Sequence, residues 1–148
     1  MSKRVKGFSH ERDLVRRLWE YGFAVMRAPA SGSKAKRVRY PDIVAIYRGK
    51  VIVIEAKTMK EDRPLYISGE QVDKLLEFAN RSGGEAYIAV KKIGTGEWFF
   101  IPVEKLEKTQ QGNYKLSVDH VHEGIRLEAL ISVVKSARKL TDYMQREH

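Results

Sequence analysis

The chain has 148 residues, enough for one domain with a real core and too few for two. Its 28 Lys and Arg against 19 Asp and Glu give a formal charge of +9 and an isoelectric point near 9.8, which points to a polyanionic partner, nucleic acid first. Cysteine is absent, which excludes disulfides, thiol nucleophiles and Cys-based zinc sites, while the lack of a spanning apolar run or a secretory leader sets the expectation of a cytoplasmic, nucleoid-associated protein with no membrane partner.

Residues 1–6 read as a basic N-terminal arm. Ser9 is a candidate N-cap for a first helix whose inward stripe is Glu11, Leu14, Val15 and Leu18. An acid on such a stripe has two explanations. In a first turn the helix macrodipole favours it, with Arg12 or Arg16 as partners. Alternatively it reaches inward as a metal or water ligand. A strand over 23–27 follows, and then a loop from Pro29 to Tyr40 that offers little to bury and carries Ser31, Ser33, Lys34, Lys36, Arg37 and Arg39. The loop is expected to be mobile and to lay four cations on DNA phosphates, although a basic loop also serves solubility alone.

The next segment carries the chemistry. Pro41–Tyr47 (PDIVAIY) and Lys50–Thr58 (KVIVIEAKT) are two Val- and Ile-rich runs around Arg48-Gly49, the pattern of a two-residue hairpin. Counting outward from a Tyr47–Lys50 pair sets Asp42 opposite Glu55, with Cβ atoms roughly 5 Å apart. Lys57, two residues on, shares their face. Two carboxylates so close repel unless a cation lies between them; Mg²⁺, with Mn²⁺ as a substitute, takes such oxygen ligands together with water and phosphate. An amine beside it can orient a water and offset charge developing on a phosphodiester. The plain alternative is an exposed strand end with an ordinary Glu–Lys pair.

A second helix is marked by Ser68 or Gly69 at its start, an apolar stripe of Val72, Leu75, Leu76 and Ala79, and Ser82-Gly83-Gly84 at its end. Strands are expected over 86–91 and 97–101, a short helix over 103–108, a strand over 114–118, a helix over 127–140 and a frayed tail over 143–148. His120 and His122 read as surface imidazoles, not ligands. The alternation indicates a single α/β domain, a mixed central sheet flanked by helices.

The order Gly7-x-x-x-Glu11-Arg12, Gly22-Phe23-Ala24-Val25-x-Arg27-Ala28-Pro29-Ala30-Ser31-Gly32-Ser33, Pro41-Asp42-Ile43 and Glu55-x-Lys57 resembles the archaeal Holliday-junction resolvases. The segments Glu77-Phe78-Ala79, Ser82-Gly83-Gly84 and Phe100-Ile101-Pro102 extend the likeness over nearly the whole chain. It implies a restriction-endonuclease-like fold and a symmetric homodimer that cuts four-way junctions. By resemblance, Glu11, Asp42, Glu55 and Lys57 fall on catalytic positions, with Glu11, Asp42 and Glu55 as metal ligands. Ser31 falls on a loop serine implicated in cleavage, and Arg12 and Arg27 on basic positions near the site. The expected reaction is Mg²⁺-dependent, in-line attack of water on a DNA phosphodiester, read out as paired nicks in a branched DNA. A restriction-type or repair nuclease of the same fold, or a non-catalytic nucleic-acid-binding module, are the rival readings. Accessory recombination or replication partners are not specified.

Overall fold

Arg48 and Gly49 take φ angles of 47° and 83°, the all-positive geometry of a type I′ turn, whose twist suits the two strands it joins. Those strands are β2 (Ile43–Tyr47) and β3 (Lys50–Met59). Their register pairs Tyr47 with Lys50 and Ile43 with Ile54, as the alternation predicts. This computed structural model describes residues 3–29, 40–60 and 63–136, with side chains from residue 9 onward. Ser31, Ser33, Lys34, Lys36, Arg37, Arg39, the expected mobility of their loop and the 143–148 tail lie outside the described residues.

The order of elements is α1 (Lys3–Glu20), β1 (Ala24–Arg27), β2, β3, β4 (Leu65–Ile67), α2 (Gly69–Ser82), β5 (Glu85–Lys92), β6 (Trp98–Pro102), a single 3-10 turn (Val103–Lys105), β7 (Glu107–Lys108), β8 (Tyr114–Leu116), α3 (Val118–His122), β9 (Ile125–Arg126) and α4 (Leu127–Ser136). Six strands form one sheet in the order β1-β2-β3-β5-β6-β9, and β4-β8-β7 form a small second sheet. Only β3 and β5 run parallel in the large sheet. A parallel pair requires a crossover, and α2 provides it.

Strand alternation divides the core in two. On one face, Ile43, Ile54 and Phe100 pack with Leu14 and Leu18 of α1 and Leu130 of α4. On the other, Val53 and Ile88 pack with Val72 and Leu75 of α2 and with Ile67 and Leu116 of the small sheet. Burial of this kind stabilises by roughly 25 cal/mol per Å² of apolar surface, which is why the two-residue period decides the fold.

Several expectations change. Ser9 does not cap α1, because the helix already runs from Lys3; Gly7 alone, at about 1 kcal/mol against Ala, does not stop it. Residues 3–6 are therefore helix, not a separate arm. Glu11 sits in the interior of α1, where the macrodipole does little for it. Leu76 is exposed on α2 at 38%. The segment expected as a helix over 103–108 is the 3-10 turn followed by β7, and Val118 opens α3 instead of closing a strand. In the first place Glu107 and Lys108 pair with Lys115 and Tyr114 of β8; in the second the Ser117 side chain accepts the His120 N–H and caps α3. For α2 the local code was sufficient: Ser68 and Gln71 form a capping box, and Gly83 closes the helix at φ 71°.

Candidate active site

Pro41 has no N–H, so the β2–β3 ladder cannot continue past Ile43 by backbone pairing. Asp42 takes over that task with its side chain. Its Oδ2 accepts the Ala56 N–H at 2.9 Å, and its backbone carbonyl accepts the Ala28 N–H at 2.9 Å. The carboxylate is thereby pinned between β1 and β3, facing the strand segment that carries Glu55 and Lys57.

Glu55 is only 3% exposed, the single polar or charged residue among the buried described ones. Its Oε1 lies 4.0 Å from Lys57 Nζ and its Oε2 3.8 Å from Lys74 Nζ. Oε2 is buried with no hydrogen-bond partner. Desolvation, then the negative charge of Asp42, push its carboxyl up to about 7, while Lys74 and Lys57 pull the other way. Such a carboxylate, part-charged and unsatisfied at neutral pH, is a common property of groups that carry chemistry.

Glu11 approaches from α1. Arg27 Nε of β1 lies 3.5 Å from its Oε2. Burial and then Asp42 raise its carboxyl, and Arg27 and Lys57 oppose them. The structure thus brings Glu11, Asp42, Glu55, Lys57 and Arg27 into one electrostatic neighbourhood. It does not close the three acids into a coordination cluster: among the described residues no group of three His, Cys, Asp or Glu is arranged to hold a metal. Arg27 is the ion-pair partner of the Glu11 carboxylate. Asp42 and Glu55 remain a pair of oxygen donors with an unsatisfied atom, which fits a hard divalent cation that completes its shell with water and phosphate.

Beside these groups is an open cleft of about 220 Å³, lined by His10, Glu11, Ala56, Lys57, Thr58 and Trp98. Arg12 is exposed on α1 beside it. Lys74 was not singled out from the sequence. The available signal was positional: it precedes Leu75 on a helix that must cross β3, but only the packing of α2 shows that it reaches Glu55. His120 and His122 lie in α3, and His122 Nε2 is 3.1 Å from Lys92 Nζ.

Carboxylates set across a hairpin beside a lysine, on a strongly basic α/β domain, are the arrangement expected of a nuclease. The family model "Archaeal holliday junction resolvase (hjc)" matches residues 2–139. The chain is 44% identical over 135 residues to the crossover junction endodeoxyribonuclease Hjc of Sulfurisphaera tokodaii, covering 91% of this chain and 92% of that protein. It is 38% identical over 146 residues to the Hjc of Sulfolobus acidocaldarius, covering 97% and 100%. The solved structure of Archaeoglobus fulgidus Hjc, a Holliday junction resolvase, superimposes with a TM-score of 0.74 at 35% identity over 86% of this chain and 96% of that one. The chain belongs to the archaeal Holliday-junction resolvase family.

Proposed function

We propose that this protein resolves four-way DNA junctions, hydrolysing phosphodiesters with Mg²⁺ or Mn²⁺ held by Asp42 and Glu55. The observation that carries the reading is Glu55, buried opposite a pinned Asp42 with one oxygen that no protein donor satisfies. A bound cation supplies charge at the phosphate and an acidified water. The residues do the rest. Asp42 is held rigid by Ala56, so its charge is preorganised. Lys57 orients the attacking water or steadies the developing negative charge, and Glu11, kept in place by Arg27, accepts a hydrogen bond from that water. Arg12 and Arg27 grip the backbone without reading bases, so junction shape sets selectivity.

The test is a nicking assay on a labelled synthetic junction. Paired nicks that need Mg²⁺ or Mn²⁺ and vanish in EDTA are expected, with matched linear duplex left whole. Site-specific cutting of linear duplex would replace this reading with a restriction-type nuclease, and activity undiminished in EDTA would remove the metal.

Paired nicks call for two active sites, and one apolar face is available for self-association. In β1 and β2, Ala24 pairs with Ile46 and Met26 with Val44, all on the sheet face where α2 covers β3 and β5. Met26 is 74% exposed. A protein that forms a homodimer through this face should run at twice its 17.0 kDa chain mass. Met26→Glu is expected to shift it to monomer in light scattering and to convert paired nicks to single ones; an unchanged dimer would place the interface elsewhere. Among the described residues no helix is long and apolar enough to cross a membrane.

A further inference from the structure

The Asp13 carboxylate accepts hydrogen bonds from four side chains, Arg16, Arg17, Lys91 and Trp98. Its Oδ2 accepts from Lys91 Nζ at 3.0 Å and from Trp98 Nε1 at 3.1 Å. Arg16 and Arg17 of its own helix add contacts at 3.1 and 3.3 Å. Lys91 and Trp98 are cross-strand partners on β5 and β6, and Lys91 lies 5.7 Å from the Trp98 ring centroid. The side chains of Asp13 and Lys91 are 19% and 15% exposed, so this is a built cluster and not a solvated surface pair.

Its position is what matters. At about 100° per residue, Asp13 stands some 200° around α1 from Glu11, on the opposite flank. Arg27 of β1 holds Glu11 on one side, and Lys91 with Trp98 hold Asp13 on the other. Between them Leu14 and Leu18 sit fully buried against the sheet. Apolar contacts of that kind resist separation of helix and sheet but resist rotation about the helix axis only weakly, because they are non-directional. Two polar pins on opposite flanks fix the rotation. A roll of α1 moves Glu11 relative to Lys57 and Asp42, and Trp98 is itself a wall of the cleft.

We propose that Asp13 is a positioning residue: by anchoring α1 to β5 and β6 it sets the helix rotation that presents Glu11 to the cleft. The proposal rests on Glu11 taking part in cleavage, as read above. Asp13→Ala should lower kcat for junction nicking by about 10- to 100-fold with KM nearly unchanged, the cost of a misplacement of about 1 Å. Asp13→Asn, which keeps an acceptor for Trp98 and Lys91, should recover most of that loss. The decisive reading is a double-mutant cycle. Asp13→Ala added to Glu11→Gln should cost less than about twofold more than Glu11→Gln alone, since there is no longer a carboxylate to place. Losses that multiply, a rise in KM at constant kcat, or Asp13→Asn as poor as Asp13→Ala would each overturn it, with circular dichroism confirming folded protein at the assay temperature. If Glu11→Gln by itself leaves nicking intact, the reading of Glu11 fails first and the positioning role falls with it.

Discussion

Asp42→Asn should reduce junction nicking by on the order of 10³-fold while binding to the uncut junction in EDTA changes by less than about threefold. The substitution is nearly isosteric. The Asn side-chain oxygen can still accept the Ala56 N–H that Asp42 Oδ2 accepts at 2.9 Å, so the end of the hairpin keeps its shape. What disappears is one unit of negative charge opposite Glu55. A divalent cation held as proposed would then lose one of two carboxylates, and binding by the basic surface, which depends on Lys and Arg, is spared. Gel-shift titration beside single-turnover cleavage separates the two quantities. Cleavage within about tenfold of the parent would mean that Asp42 only shapes the hairpin.

Glu55→Gln should abolish cleavage and yet make the metal-free protein more stable. The reason lies in burial: the Glu55 carboxyl is raised from 4.5 to about 7 in the folded chain. Below about pH 4.5 the folded and unfolded states both carry the proton, and no penalty applies. Between that value and about 7 the folded state binds more protons than the unfolded one, so stability falls as pH rises. Above 7 the full difference is lost, about 3 kcal/mol for the shift from 4.5 to about 7. Glu11 is raised too and adds in the same direction. Thermal unfolding in EDTA should therefore show Tm declining from about pH 5 to about 8, with Glu55→Gln flattening that slope and raising Tm by about 5 °C or more at the alkaline end. Added Mg²⁺ should restore the parent's loss and do little for the variant. A variant less stable than the parent at pH 8, or an unchanged slope, would show that Lys57 and Lys74 already compensate the buried charge. Stability given up at a site where chemistry needs a desolvated acid is a common trade in enzymes.

How far the sequence reaches can be judged residue by residue. The hairpin was readable because each of its determinants is local: a two-residue turn and a two-residue period. From these alone Asp42 was set opposite Glu55, 13 positions away, with Lys57 beside it, and the observed register agrees. The bounds of α2 were readable for the same reason, a capping box at one end and a left-handed glycine at the other. Where local signals were weak, the reading slipped. Nothing near Ser9 announces a helix that begins at Lys3, and of the small sheet only β8, within the strand expected over 114–118, stood out, while β4 and β7, three and two residues long, have too little pattern.

The sequence by itself determined which groups meet across the hairpin, because turn geometry and strand alternation act over a few residues and leave one register. Only the tertiary structure decided how those groups are charged and aimed. Lys74 reaches Glu55 from the opposite layer, Arg27 takes Glu11, and Asp13 docks onto strands 78 and 85 residues away. Such partners are chosen by how whole layers pack. Desolvation and charge interactions depend on everything that surrounds a group, so the environment of Glu55 exists only once α1, α2 and the sheet have closed around it.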